Sequence, residues 1–271
     1  MFTYWSTYIL YVTLYDKEYK MENKIRDYQK GAIQKGAANR DKVLLWVYKW
    51  GWTTEAVLQK LLSVQRRPGA EFCRRGILQK VEPARGQFRV AYVIALPMMK
   101  RAGEIYEQST GGIAIPPPRG SVPFSLLEHN EIAQLIALDK ANEECKLKTD
   151  RELREGDTEA IPDFAINLYE LAEHWHEIEL NAKYKERLFF QLQKRDEARK
   201  EGVDMFFWHC NTRGIALNLI NALEQEALPT MLRQADGKFV QNGQWWDPEE
   251  LAGCTKIGII GQEENIWPAS N

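Results

Sequence analysis

The sequence has no run of about eighteen or more apolar residues, few cysteines and little net charge. A helix needs about 20 apolar residues to cross a bilayer, so we expect no membrane-spanning helix. The four cysteines form no Cys-x-x-Cys pair. Their spacing argues against a disulfide framework and a thiolate zinc site, and it favours a reducing, cytoplasmic location. The net charge of −2 gives no whole-chain signal for nucleic acid.

The charges are nevertheless unevenly distributed along the 271 residues. Residues 40–90 contain eleven Lys and Arg against four Asp and Glu, a local net charge of +7, and the rest of the chain carries −9. The length fits one large domain or two ordinary ones. We therefore expect a basic module joined to an acidic body.

Composition also suggests the domain boundaries. Residues 2–15 are apolar and aromatic but lack a basic segment and a small-residue cleavage site, so we do not expect a signal peptide. Met21 begins a more polar sequence and is an alternative start of translation. We assign residues 1–39 to an N-terminal extension, 40–108 to a first domain, 109–123, rich in Gly and Pro, to a linker, and 124–271 to a second domain.

The first domain is patterned as three short helices and a hairpin. Apolar residues recur at helical spacing over residues 42–50, and Thr53 or Thr54 can cap a second helix. Pro68 suits the first turn of a third helix and Gly76 its end. Residues 79–94 alternate around a Gly-containing turn, which is typical of a β-hairpin. Together these elements predict a winged helix-turn-helix.

The basic residues of this domain are concentrated on the third helix and the hairpin, or wing. In a winged helix these elements meet the major groove and the DNA backbone. We therefore predict DNA binding, with a solvated basic face on a protein-binding module as the alternative. The residues concerned are Arg66, Arg67, Arg74 and Arg75 on or beside the helix, and Lys80, Arg85 and Arg89 along the wing.

The second domain is predicted to have the order helix, strand, strand, helix, strand, helix. Alternation along a strand places Glu177 and Glu179 on one face and His174 and His176 on the other. If the first two strands pair as a hairpin, Asp163 faces both glutamates. The six predicted elements are residues 125–142, 161–166, 174–180, 183–200, 203–209 and 213–226.

Three carboxylates at one place have a chemical consequence. Within about 4 Å they repel one another, so the cluster needs solvent, a proton or a cation. Divalent Mg²⁺ and Mn²⁺ prefer oxygen ligands, and such an ion could activate water against a phosphodiester. A metal site at Asp163, Glu177 and Glu179 is therefore one hypothesis, and a solvated acidic strand face is the other.

A competing motif lies on the opposite face of the same strand. His174-Trp175-His176 is a His-hydrophobic-His triplet, as in nucleases that bind a metal through two histidines and attack DNA with a tyrosine. The histidines and the glutamates cannot form one site, because they point to different faces. Neither His129 nor His209 stands at an evident metal spacing, and packing in the core is the alternative role for both His174 and His176.

Ile161-Pro162-Asp163 followed by Glu177-Ile178-Glu179 resembles the metal core of PD-(D/E)XK nucleases, with Glu179 where many relatives have lysine. The motifs of residues 40–225 follow one another in an order that resembles the replication-relaxation proteins and, more closely, the MobC-type relaxases of mobilizable plasmids. The other segments that carry the likeness are the winged helix, residues 92–103, Glu128-His129-Asn130 and Arg151-Glu152-Leu153-Arg154.

The resemblance implies an α+β protein in which the winged helix is joined to an α/β, restriction-endonuclease-like domain. It also implies a relaxase: an endonuclease that uses Mg or Mn to nick one strand at a plasmid transfer origin. Asp163, Glu177 and Glu179 would be metal ligands, and Lys183 or Lys185 would supply the missing positive charge to the phosphate. The implied partners are plasmid DNA, an accessory nicking protein and a type IV coupling protein, without membrane insertion.

Two alternatives stay open at this point. A relaxase that rejoins the cut strand favours a covalent phosphotyrosine, and Tyr169 and Tyr184 lie near the site in sequence, but no pattern marks either as the nucleophile. The non-enzymatic alternative is a regulator of plasmid replication or transfer, in which the winged helix binds DNA and the acidic half only dimerises.

Overall fold

The computed structural model describes residues 30–82, 90–118, 122–141, 145–154, 161–168, 172–262 and 265–267. The fold is of the mixed α+β type, with one large mixed sheet and two small antiparallel ones. Three predictions lie outside the described residues: Arg85 and Arg89 of the wing, the alternative start at Met21, and Tyr169.

The first part of the chain forms helices and a small sheet in the predicted order. Helix α1 covers residues 30–50, so it runs across the boundary expected at residues 39 and 40. The side chain of Thr54 accepts a hydrogen bond from the Val57 N–H at 3.4 Å and caps α2. The sheet has the antiparallel order β1-β3-β2. The elements are β1 (Thr53–Thr54), α2 (Glu55–Leu62), α3 (Pro68–Arg74), β2 (Leu78–Val81) and β3 (Ala91–Ile94).

Two further helices, α4 (Met99–Thr110) and α5 (Leu127–Lys140), precede the large sheet. Its order is β11-β10-β7-β6-β5-β4; β4, β5 and β6 form an antiparallel meander, and β6, β7 and β10 run parallel. The elements are β4 (Cys145–Thr149), α6 (Asp150–Leu153), β5 (Phe164–Leu168), β6 (Ala172–Glu179), α7 (Lys185–Lys200), β7 (Met205–Cys210), α8 (Arg213–Leu223), α9 (Glu249–Gly253), β10 (Thr255–Ile259) and β11 (Asn265–Trp267). A separate hairpin consists of β8 (Leu228–Arg233) and β9 (Phe239–Trp246).

The two faces of the large sheet bury different clusters. One cluster joins α1 and α5 to the sheet through residues such as Trp50 and Phe164, whose rings lie 6.2 Å apart. The other joins α7 and α8 to the sheet and includes Phe206 and Trp208. Because α1 packs in the same cluster as β5, the basic first part and the second part share a core.

The segment expected to be a linker takes part in this packing. Ile115 is buried, and its carbonyl accepts a hydrogen bond from the Tyr48 hydroxyl at 3.1 Å. Arg151 also donates to the Pro116 carbonyl. Across the described ranges of the chain, no helix combines the length and the apolar character needed to cross a membrane.

Candidate functional site

The β5–β6 hairpin, as predicted, brings the candidate acidic residues to one end of the sheet. Phe164 pairs with His176, and the Asp163 N–H donates to the His176 carbonyl at 3.1 Å. Asp163 therefore precedes β5 at the position facing Glu177. β5 begins at Phe164, two residues after Pro162. Pro162 therefore lies outside the strand, where its lack of a backbone N–H costs no hydrogen bond of the sheet.

The carboxylate of Asp163 is held by two groups on the α5 side of the sheet. Its Oδ2 accepts a hydrogen bond from the Ile178 N–H at 2.7 Å and lies 3.4 Å from His129 Nε2. Burial lowers the pKa of His129, but the hydrogen bond and charge of Asp163 outweigh it and raise that pKa to about 9. Asp163 and a protonated His129 thus form an ion pair. Both line a cleft of about 570 Å³ beside Trp52 and Arg154.

Glu177 and Glu179 point to the opposite side of the sheet, towards α7, so the carboxylate of Asp163 does not face them as the sequence predicted. Glu177 is paired with the buried Arg195, and Glu179 with Lys183. Gln191 links the two glutamates, because its Nε2 donates to Glu177 at 3.2 Å and to Glu179 at 3.4 Å. Lys183 also donates to Gln191. We call these five residues the glutamate network.

The network is buried, which changes its electrostatics. Glu177 is 5% and Glu179 6% exposed. Burial raises the pKa of Glu177, Arg195 opposes this shift, and the charge of Asp163 adds to it. The oxygens of Asp163 and Glu177 nevertheless bind different partners.

The three predicted ligands fit a hard divalent cation in their chemistry, since all are carboxylates at one end of two paired strands. Their oxygens, however, are engaged by protein donors: the Ile178 N–H, Arg195, Gln191 and Lys183. Within the residues described, no group of three or more His, Cys, Asp and Glu side chains is arranged to hold a metal ion.

A basic cleft of about 410 Å³ opens beside the glutamate network. Lys183, Gln191 and Arg195 line it and at the same time bond the glutamates. Arg187 on α7 and Arg233 on β8 add positive charge. The cleft thus joins the candidate acidic site to a surface that suits an anion.

The predicted DNA contacts of α3 lie at the surface. Arg66, Arg67, Arg74 and Arg75 are all exposed, and Arg74 forms an ion pair with Glu71. Lys80 on β2 is also exposed and pairs with Glu82. Lys185 is exposed in the first turn of α7, with its Nζ 5.2 Å from the centroid of the Phe189 ring.

Glu55 fixes the start of α3. One of its carboxylate oxygens accepts the Gly69 N–H at 3.0 Å, and the other accepts the Tyr92 hydroxyl at 2.6 Å. This arrangement ties the first turn of α3 to α2 and β3. The carboxylate also satisfies a helix N-terminal N–H that would otherwise lack an acceptor.

The histidines of the competing motif are part of the packing on the α5 side. His176 is 3% exposed, and its ring stacks on Phe164 at 4.5 Å and Phe207 at 4.8 Å. Its Nδ1 lies 3.0 Å from Nε2 of His209. Burial lowers the pKa of both, that of His209 to about 4, so both are neutral at pH 7. His174 lies beside Phe207, with ring centroids 5.4 Å apart.

Sequence analysis missed Gln191 and Arg195, the residues that connect the glutamates to α7. The signal was the four-residue spacing of Arg187, Gln191 and Arg195, which places all three on one helical face. It also missed the partnership of His129 with Asp163, since the two residues are far apart in sequence.

In comparisons with known proteins, the chain matches no family model, no curated protein and no solved structure. The functional argument therefore rests on the chain's own residues.

Proposed function

We propose that the protein binds duplex DNA through its first part and cuts one strand with Asp163, Glu177 and Glu179 in a reaction that needs a divalent metal. The observation that carries the proposal is the register of β5 and β6. In that register the backbone of Asp163 lies opposite Glu177, and both glutamates bond residues that line a basic cleft, which supports the proposal.

The DNA-binding half is supported by topology and surface charge. The order α1–β1–α2–α3–β2–β3, with an antiparallel three-stranded sheet, supports a winged helix-turn-helix. Exposed arginines surround α3, the helix that would enter the major groove. Of these, Arg66, Arg67 and Arg75 are assigned no salt bridge within the described part of the chain, which leaves their charge available for phosphates.

In the catalytic part of the proposal, each residue has its own role. With the carboxylate of Asp163 turned from His129 on the α5 side towards the glutamates on the α7 side, Asp163, Glu177 and Glu179 would hold Mg²⁺ or Mn²⁺, which would supply positive charge at the scissile phosphate. Lys183, whose Nζ already contacts Glu179, would donate a hydrogen bond to a phosphate oxygen. Arg195 favours the ionised form of Glu177, because its positive charge opposes the rise in pKa that burial causes.

The finer proposal follows from the resemblance to MobC-type relaxases. In it, the nick is made at a plasmid transfer origin and starts conjugative mobilization in the cytoplasm. An accessory nicking protein and a type IV coupling protein would be its partners. Tyr184 is exposed beside the basic cleft, so it is the described tyrosine available for a covalent variant of the reaction.

The experiment is a nicking assay on supercoiled plasmid that carries the DNA flanking the protein's own gene, with Mg²⁺, with Mn²⁺ or with a chelator. Asp163→Asn keeps an acceptor for the Ile178 N–H but removes the charge, and should abolish nicking. The matched control is Asp139→Asn, an exposed carboxylate on α5 that should leave nicking unchanged. Equal nicking by Asp163→Asn and wild type would refute the metal site.

The second candidate function is a DNA-binding regulator without catalysis. It is favoured by the ion pairs Arg195–Glu177 and Lys183–Glu179, which satisfy the glutamates without a metal. It predicts that the duplex binds equally well to wild type and to Glu179→Gln, and that neither cuts DNA with any divalent ion.

A further inference from the structure

The basic cleft lies between α7 and the β8–β9 hairpin. α7 contributes two arginines, and the hairpin contributes the opposite wall. The lining residues used here are Lys183, Tyr184, Arg187, Arg195, Arg233 and Phe239.

The positive charge of the cleft is only partly neutralised. Glu179 and Glu177 neutralise Lys183 and Arg195 at its inner end. Arg187 and Arg233 are exposed, and in the described parts of the chain no acidic side chain is assigned to either. Two arginines on facing walls thus present guanidinium groups that match the geometry of phosphate oxygens.

Aromatic rings accompany these charges. Tyr184 is 55% exposed at the cleft, and its ring centroid lies 6.1 Å from that of Phe239. Phe239 in turn packs against Phe190 at 4.8 Å, which supports the wall from behind. An exposed ring beside arginines is the combination with which proteins bind single strands, because bases stack on the ring and phosphates meet the cations.

We propose that this cleft binds a segment of single-stranded DNA, with Arg187 and Arg233 at phosphates and Tyr184 stacked on a base. A volume of about 410 Å³ is of the size that encloses small ligands, so it suits nucleotide units of one strand and excludes a duplex. The inference rests on the proposed function, since the strand to be cut would approach Glu177 and Glu179 through this cleft.

The test is binding of a fluorescein-labelled oligothymidine of about 12 nucleotides, followed by anisotropy without metal. Arg187→Ala/Arg233→Ala should weaken binding at least tenfold. It should also lower the log–log dependence of affinity on salt by about 1.4, because each single-strand phosphate contact contributes about 0.7. Tyr184→Leu should weaken binding at least about fivefold and leave the salt dependence unchanged, because it removes a ring but no charge.

The matched control is Lys100→Ala, which removes an exposed cation on α4, outside the cleft. It should leave oligothymidine binding unchanged. The affinity of the double arginine variant for duplex DNA should change less than about twofold, because the duplex is assigned to α3. All four replaced side chains are exposed, so circular dichroism and melting should match wild type.

Three results would overturn the proposal: unchanged oligothymidine binding in the double variant, an equal loss for duplex and single strand, or tighter binding of oligouridine than of oligothymidine. The assay needs neither metal nor cleavage, so it is separate from the nicking test. If wild type does not nick but the cleft variants lose oligothymidine binding, the proposed nicking function is refuted and the cleft assignment survives. If wild type nicks DNA but the cleft variants keep full oligothymidine binding, only the assignment of the cleft to single-stranded DNA is refuted.

Discussion

Asp163 controls the charge state of His129 at the end of β6. The imidazole is largely buried, and without a partner burial would lower its pKa below the ordinary value of about 6.5. Asp163 reverses the direction of that shift, and the pKa rises to about 9. The residue proposed as a metal ligand therefore also holds a proton on a neighbouring histidine.

We expect Asp163→Asn to lower the pKa of His129 from about 9, because the burial penalty remains and the counter-charge is lost. The measurement is an NMR titration of the histidine ring protons, which is simple because the chain has four histidines. The control is Asp139→Asn, at a carboxylate on α5, the helix that carries His129. It should leave the pKa of His129 unchanged. A His129 pKa that remains near 9 in Asp163→Asn would show that another group carries the effect.

The sequence was sufficient to predict which polar residues of β6 lie on each face of the sheet. Strand alternation predicted Glu177 and Glu179 on one face and His174 and His176 on the other, and the partners of these side chains agree. Alternation carries no information about what covers each face. That α7 would place Arg195 against Glu177 depends on how the helix returns over the sheet, which is a property of tertiary packing.

Among the elements, β6 and β7 are joined by a pair of neutral histidines that makes their packing sensitive to acid. His176 and His209 lie on adjacent parallel strands with their rings stacked 5.3 Å apart. The charged groups acting on them are Lys140 of α5, which disfavours protonation of both, His174, which disfavours that of His176, and Asp163, which favours that of His209. Burial is the largest cause for each.

A histidine whose pKa is lowered by folding is protonated more readily in the unfolded chain. The unfolded state then binds more protons below pH 6.5, so stability falls as the pH falls from about 6.5 towards 4. We expect a loss of about 2–3 kcal/mol over this interval from His209, measured by urea unfolding at several pH values. His176→Phe/His209→Leu should flatten this dependence while keeping the stack on Phe164 and Phe207. An equally steep dependence in that variant would assign the effect to other groups.

The position of α3 depends on a glycine that leaves room for an aromatic ring. A Cβ at Gly69 would lie 2.4 Å from Cζ of Tyr92, closer than any tolerated contact. The same Tyr92 hydroxyl donates to Glu55, which accepts the Gly69 N–H. Helix α3 can therefore approach β3 only because residue 69 has no side chain.

We expect Gly69→Ala to destabilise the protein by about 1–3 kcal/mol through overpacking and to weaken duplex DNA binding. Gly69→Ala/Tyr92→Leu should recover part of the stability, because the smaller residue makes room for the new methyl group. Gly76→Ala is a useful comparison: it lies in open space, so its cost would come from its positive φ of 66° alone. Full duplex affinity in Gly69→Ala would separate α3 from the DNA interface.

The elements that periodicity predicted are those with long amphipathic or apolar patterns, such as α2, α5, α7 and α8. Strand β4 was missed because Cys145-Lys146-Leu147-Lys148-Thr149 is short and largely polar. The β8–β9 hairpin was also missed, although Asp236-Gly237 between its strands is a recognised turn signal and Gly237 has φ 83°. That omission hid one wall of the basic cleft, since Arg233 and Phe239 come from this hairpin.

For the whole molecule, the main result is that the basic part and the acidic part are not independent in their packing. Lys49 of α1 forms an ion pair with Glu152 of α6 at 3.2 Å, and Tyr106 of α4 donates to the same carboxylate at 3.0 Å. The charge difference between residues 40–90 and the rest of the chain suggested two modules. Charge, however, describes the surface, whereas the shared cluster of α1, α5 and β5 is apolar and gave no such signal.

Gln134 is the clearest polar contact across this shared core. It is fully buried on α5, and its Oε1 accepts hydrogen bonds from the Trp46 indole at 2.9 Å and the Thr53 hydroxyl at 3.1 Å. Its Nε2 donates to the Trp52 carbonyl at 3.1 Å. Gln134→Leu would leave these groups of the first part without their partner in the second, at a cost of about 1–3 kcal/mol for each buried group left unsatisfied.

Because the two parts share one core, this loss should reach both of them. We expect native-state hydrogen exchange to show the same fall in opening free energy for amides of β3 and of β7 in Gln134→Leu, and thermal unfolding to stay a single transition at a lower midpoint. Gln225→Leu, at an exposed position after α8, is the control and should change neither. If only β3 loses protection, the first part unfolds on its own, and Gln134 does not couple the two parts.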